Sequence, residues 1–283
     1  MMASDPFPGG VICWIGQVVI KSYQARLRMN RYDPAFVLRP GQNLSKESLK
    51  KLLAGFSPPP GHPASSVYLR TGEAQRFLEG RGAEGWAWWE RLRLLGRRLL
   101  ESDTGIAGLR AGPEALVITP PFPLSGSVLH SGWEPTPLLT LLEAEHTVGV
   151  VLLRLGRYSV AIYRGNLLLS SKTDARYVKG RHHAGGTSQK RFERIREGQI
   201  RQLYDKTCEA VLGQFSASAT PLDYVLLGGD KFTLDGFLKA CSYLQKWRGA
   251  TLDRRLNVRD PKRDTLEQVG GMLWESRVWR VEW

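Results

Sequence analysis

Apolar residues in the second half of the chain fall into blocks of strand length. Val148–Leu155 and Tyr158–Tyr163 are two such blocks, separated only by Gly156-Arg157. They predict two antiparallel strands joined by a tight turn, with Leu167–Ser171 as a third after Gly165-Asn166. The period then changes. Beyond a basic loop over Lys179–Thr187, apolar positions at Phe192, Ile195, Leu203, Val211 and Phe215 predict a long helix from about Ser188 to Phe215. Tyr224–Leu227 reads as a short strand ending in Gly228-Gly229-Asp230, and a further helix is expected over roughly Thr233–Lys246. This succession predicts an α/β (α+β) fold in which helices pack on a mixed sheet.

The first half is less regular. Val11–Met29 has strand character, with Tyr23, Ala25, Leu27 and Met29 alternating. Ser45 is placed to cap a helix over Lys46–Phe56, which ends at Ser57-Pro58-Pro59-Pro60-Gly61. Glu84–Glu101 carries Trp86, Trp89, Leu92, Leu95 and Leu99 at helical spacing, and Leu116–Ile118 suits a short buried strand. The run Trp86-Ala87-Trp88-Trp89 is read as core rather than as a base-stacking surface. Five prolines with several Gly and Ser make Pro120–Pro137 read as a linker. The expected organisation is therefore a mixed α/β N-terminal domain over 1–140, of unassigned role and ending in the Pro-rich linker, and a second domain over 141–283.

Composition narrows the class. The 283 residues are 42% apolar, enough for a core, and 40 Lys plus Arg against 27 Asp plus Glu leave a net charge of +13. No apolar run approaches the ~18 residues a membrane-crossing helix needs. Met1–Gly10 lacks the basic start and apolar stretch of a signal peptide. The wide separation of Cys13, Cys208 and Cys241 is read as excluding a disulfide framework and any cysteine-based zinc finger. A soluble, cytoplasmic protein with a polyanionic partner is expected. The charge concentrates between Arg176 and Lys206, where nine basic residues face only Glu193, Glu197 and Asp205. Nucleic acid is the natural partner of so dense a patch.

Most familiar catalytic signatures are missing: there is no phosphate-binding Gly-Lys loop, nucleophile elbow or zinc-binding His pair. The histidines at 62, 130, 146, 182 and 183 lack metal-ligand spacing. Asp174, Asp223 and Asp230 are the only candidate acids near strand ends for a nuclease on such a scaffold, a weaker alternative, since nothing in their spacing shows that they converge on a metal. The chemistry concentrates instead in Arg181-His182-His183-Ala184-Gly185-Gly186-Thr187-Ser188-Gln189-Lys190-Arg191-Phe192-Glu193-Arg194-Ile195-Arg196. The paired glycines allow close backbone approach, and Thr187 or Ser188 can cap the helix behind them. Arg191, Arg194 and Arg201 form a stripe on that helix.

Gly185-Gly186-x-Ser188-x-x-Arg191-Phe192-x-Arg194-x-Arg196 resembles the catalytic loop and following helix of eukaryotic and archaeal class I peptide release factors. The preceding strands and Leu226-Leu227-Gly228-Gly229-Asp230 are similar to the middle domain of those proteins. The closer resemblance is to the VLRF branch, the Vms/ANKZF proteins and their bacterial relatives, in which glutamine is displaced from the glycine pair, as Gln189 is here. The resemblance spans roughly Thr147–Arg280; the ankyrin repeats and zinc finger of the eukaryotic members are absent, and residues 1–140 carry no such likeness. It implies a release-factor-like domain over 141–283 that hydrolyses the ester of peptidyl-tRNA on stalled ribosomes or large subunits. On this reading Gln189 orients water and Gly185 and Gly186 admit the tRNA terminus. Lys179, Arg181, His182, His183, Thr187, Ser188, Lys190, Arg191, Arg194 and Arg201 contact RNA. The implied partners are the ribosomal large subunit at its peptidyl transferase centre, peptidyl-tRNA and rRNA, engaged by a monomer without membrane, metal or organic cofactor. A general-base role for His182 or His183 is the competing mechanism. A non-catalytic RNA-binding rescue or dormancy factor is the competing function.

Overall fold

The computed structural model describes residues 37–38, 40–79, 97–180 and 187–282. Val11–Met29 and most of Glu84–Glu101, with its tryptophans, lie outside them. The described chain forms two sheets. The first is antiparallel and contains β1 (Val37–Leu38), β2 (Gln42–Leu44), β3 (Ala64–Leu69), β4 (Ile106–Ala111), β5 (Glu114–Thr119), β6 (Val128–His130) and β12 (Ser276–Glu282), in the order β1-β12-β5-β4-β3-β6 with β2 also on β12. The second runs β11-β10-β7-β8-β9, from β7 (Thr147–Arg154), β8 (Arg157–Arg164), β9 (Leu167–Ala175), β10 (Tyr224–Gly229) and β11 (Thr251–Leu256). Here β7 pairs in parallel with β10 and β10 with β11, while β7, β8 and β9 are antiparallel, so the sheet is mixed.

The helices are α1 (Lys46–Gly55), α2 (Glu73–Glu79), α3 (Arg97–Leu100), α4 (Thr136–Glu143), α5 (Thr187–Ser216), α6 (Lys231–Ala240) and α7 (Arg263–Met272), with a 3-10 turn at Ser242–Trp247. Ser45 caps α1, its hydroxyl accepting the Ser48 N–H. No described helix is long and apolar enough to cross a membrane.

Burial on both faces explains the near-continuous apolar runs of β7 and β8. Val151, Leu153, Tyr158, Val160 and Ile162 face Leu203, Val211, Phe215, Leu234 and Phe237 of α5 and α6. The alternate residues Val150, Leu152, Ala161 and Tyr163 face Leu266, Val269 and Leu273 on the α7 side, together with Phe122 and Trp274. Beneath α7, the half-buried Arg254 donates to the carbonyls of Met272, Leu273 and Glu275, closing the C-terminus of that helix. Burial lowers its guanidinium to about 10.

Three expectations change. The stretch Pro120–Pro137 is not an open linker. Phe122 is fully buried against His146, Tyr224 and Trp274, β6 pairs with β3, and the Tyr68 hydroxyl donates to the Glu134 carbonyl at 2.6 Å. Proline fixes φ without requiring exposure, so a proline-rich segment can be a built one. The chain beyond 141 is not confined to the second sheet: β12 returns to the first, between β5 and the strands β1 and β2. Third, Cys208 and Cys241 form a disulfide. They are 33 residues apart in sequence, but α5 packs against the end of α6 and brings their Cα atoms to 5.5 Å.

Candidate nucleic-acid interface

Helix α5 is 30 residues long, about 45 Å at 1.5 Å per residue. Its two halves have different surroundings. From Leu203 onward one face is buried at Leu203, Thr207, Val211 and Phe215, the spacing of a helix laid on a sheet. Between Gln189 and Gln202 no side chain is buried. Phe192 and Ile195, apolar positions of the expected helix, are 37% and 42% exposed. Their spacing marks a helix face correctly, but among the described residues no buried apolar cluster includes them. The N-terminal half of α5 therefore stands out from the sheet as a rod.

That rod is basic. Lys190, Arg191, Arg194 and Arg201 are exposed and form no ion pair with another described residue. The segment that follows β9 is clipped to it: the Lys179 N–H donates to Gln199 Oε1 at 2.9 Å, and Arg196 Nε donates to the Lys179 carbonyl at 3.0 Å. The Lys179 ammonium lies 4.3 Å from the centre of the Phe192 ring, a cation–π contact. Gln199, Arg196 and Phe192 thus hold Lys179 against the helix. Of the three, Gln199 is a residue that sequence reasoning missed, because an isolated glutamine in a helix carries no signal of its partner.

Gln189 sits in the first turn of α5, half-buried, its Nε2 donating to Glu193 Oε1 at 3.2 Å. One amide donor is thereby occupied, while the carbonyl oxygen keeps its lone pairs. Gly185, Gly186, Arg181, His182 and His183 lie outside the described residues, as do the side chains of Thr187 and Ser188.

The acids do not assemble. Asp223 accepts the Thr147 N–H at 2.7 Å at one end of β10, and Asp230 caps α6 through Thr233 at the other. A six-residue strand separates them by about 20 Å. Asp174 accepts the Ala175 N–H and pairs with Arg176. Among the described residues no three His, Cys, Asp or Glu side chains form a metal-binding group. Gly228-Gly229-Asp230 has a structural explanation. Gly229 takes φ +131°, and a Cβ there would lie 2.0 Å from the Leu153 carbonyl oxygen.

The projecting helix, its clip and the parallel strands behind it all fall within residues 146–279, which match the family model of the actinobacterial and chloroflexi VLRF1 release factor. This segment is similar to the VLRF1 release factor family. Archaeal proteins named peptide chain release factor subunit 1 are similar over stretches of comparable length. That of Methanopyrus kandleri is 29% identical over 134 residues, covering 47% of this chain and 32% of its own length. That of Methanobrevibacter smithii is 30% identical over 139 residues, covering 46% and 33%. The matched region thus spans about a third of these relatives. Among solved structures, an archaeal translation termination factor, aRF1, covers 81% of this chain and 72% of its own at 15% identity and TM-score 0.32. The Pelota protein of Thermoplasma acidophilum covers 80% and 61% at 10% identity and TM-score 0.23. Those two likenesses are too low to bear on residue positions. The sequence matches relate the VLRF1-like segment to translation termination factors.

Proposed function

We propose that the protein is a peptidyl-tRNA hydrolase that releases nascent peptide on stalled ribosomes or large subunits. The observation that carries this reading is a basic helix standing clear of its sheet, led by a Gly-Gly-x-x-Gln run in a VLRF1-like segment. Reaching a narrow, phosphate-lined cavity demands a slender element with unpaired cations along its sides, and the first half of α5 has both. Lys190, Arg191, Arg194 and Arg201 hold RNA phosphates, and Lys179, Arg181, His182, His183, Thr187 and Ser188 line the approach. Gly185 and Gly186 allow the backbone close to the terminal ribose.

Hydrolysis breaks the ester between the peptide carbonyl and the tRNA ribose oxygen, and water supplies the new carboxyl oxygen. Gln189 orients that water by accepting one of its protons in a hydrogen bond through Oε1, without abstracting it. The bond from Nε2 to Glu193 leaves this acceptor available. The same bond is what favours the second reading, a non-catalytic RNA-binding factor, since it also ties the amide down. The residues before 141 supply ribosome placement. Purified peptidyl-tRNA–ribosome complexes carrying labelled peptide separate the two readings. Wild type should release peptide, and Gln189→Ala should lose on the order of 10²-fold in rate with ribosome affinity unchanged. A wild type that binds and releases nothing establishes the binding-only reading.

A further inference from the structure

A groove of about 330 Å³ lies between α5 and α6 at the base of the projecting rod, lined by Glu197, Ile200, Arg201, Tyr204, Gly236, Lys239 and Ala240. Its size falls at the lower end of small-ligand sites. It exists because of Gly236. A glycine inside a helix costs about 1 kcal/mol against alanine, so its presence there needs a reason. A Cβ at this position would lie 2.6 Å from Tyr204 Oη, so the missing side chain lets the phenol lie against α6 as the floor of the groove.

The walls are chemically distinct. Arg201 and Lys239 stand at the mouth, both exposed, and neither forms an ion pair or hydrogen bond with another described residue. Ile200 and Ala240 give an apolar wall, and Glu197 adds one carboxylate. Two unpaired cations call for an anion, yet a carboxylate repels a bare one. An occupant that pairs a phosphate with a hydroxyl donor and a flat apolar body satisfies all three. The groove is also continuous with the basic rod, since Lys190, Arg194, Glu197, Arg201 and Tyr204 follow at spacings of four and three along one face of α5.

We propose that this groove seats one nucleotide of an RNA strand. Its phosphate lies between Arg201 and Lys239, its ribose 2′-hydroxyl donates to Glu197, and its base rests on Ile200, Ala240 and the Tyr204 ring. The hydroxyl contact makes the site selective for RNA over DNA. The inference rests on the reading above that the basic face of α5 meets RNA.

The test is fluorescence anisotropy on the full chain with a labelled single-stranded RNA of about 12 nucleotides and its DNA counterpart, over a salt series. Lys239→Ala should weaken RNA binding about tenfold and lower the slope of log K against log salt by about 0.7. Glu197→Ala should bring the RNA-to-DNA affinity ratio close to one. Because both side chains are exposed, an unchanged melting temperature should accompany each effect. If Lys239→Ala keeps wild-type affinity and slope while Lys190→Ala/Arg191→Ala/Arg194→Ala loses binding, the groove is empty and the rod alone holds RNA. If wild type does not distinguish RNA from DNA, the ribose contact is wrong. If the triple variant also binds as wild type does, the RNA-facing reading of α5 fails and this inference fails with it.

Discussion

Reducing the Cys208–Cys241 bond should destabilise the protein by a margin that its loop length sets. Cys208 lies on the packed half of α5 and Cys241 ends α6, with 33 residues of sequence separation between them. Closing a loop of that size in the unfolded chain removes about 12.5 cal/mol/K of entropy, or about 3.7 kcal/mol at 25 °C. That is roughly a 500-fold change in the unfolding equilibrium. With a urea dependence of 2–3 kcal/mol per molar, the midpoint should fall by about 1–2 M on reduction. Urea unfolding of the oxidised and reduced chain, followed by far-ultraviolet circular dichroism, measures this. The double variant Cys208→Ala/Cys241→Ala should show one midpoint whether or not reductant is present. A wild-type midpoint indifferent to reductant, or a native protein titrating three free thiols, would refute the reasoning.

Two further perturbations probe the junction of the two sheets. Phe122→Ala, deleting a fully buried ring that touches His146, Tyr224 and Trp274, should cost about 3–5 kcal/mol by urea unfolding; a cost below about 1 kcal/mol would mean the proline-rich segment is not anchored there. Burial lowers the pKa of His146 below its ordinary value, and Asp223 opposes this only in part. The unfolded chain therefore binds the proton more readily, so this contribution to stability is full above about pH 6.5 and is lost as pH falls through that value toward the lowered folded one. Urea midpoints should fall for wild type across that range while those of His146→Phe stay comparatively flat; a His146→Phe profile parallel to wild type would remove the histidine as its cause.

How much of this was legible beforehand depended on whether a signal was local. Strands β7 and β8 were readable because they are apolar on both faces, and β9 because the turns between the three strands fall at Gly156 and Gly165, which take φ of +101° and +60°. The length of α5 was readable from its period. That Phe192 and Ile195 stay exposed was not, since a period identifies a face without saying what covers it. Helix α6 stops at Cys241 and the chain tightens into a 3-10 turn, with no Gly or Pro to announce the break. Strand β12 was invisible for a different reason: its partner Ala115–Thr119 lies about 160 residues earlier, and Arg277 and Arg280 disguise the buried Val278 and Val281. The candidate site was legible as a motif, while its clip through Gln199 and the α5–α6 groove arise only where separate elements meet.

The bond between Gln189 and Glu193 carries a last consequence for the mechanism. A free glutamine side chain spreads its amide over several rotamers, and its carbonyl oxygen would point at water in only a fraction of them. Anchoring Nε2 one helical turn down removes part of that freedom while leaving the lone pairs of Oε1 able to accept. On the proposed mechanism Glu193 is a positioning residue rather than a catalytic one. The contact is 3.2 Å long and partly solvated, so it is worth no more than about 1 kcal/mol. Glu193→Ala should accordingly slow peptide release by about fivefold through kcat, leaving KM for the ribosome complex unchanged. Glu193→Gln, which keeps an acceptor at the same reach, should restore most of the rate. A faster Glu193→Ala protein would show that the bond sequesters the amide, and equal losses in both variants would point to the charge of Glu193 instead.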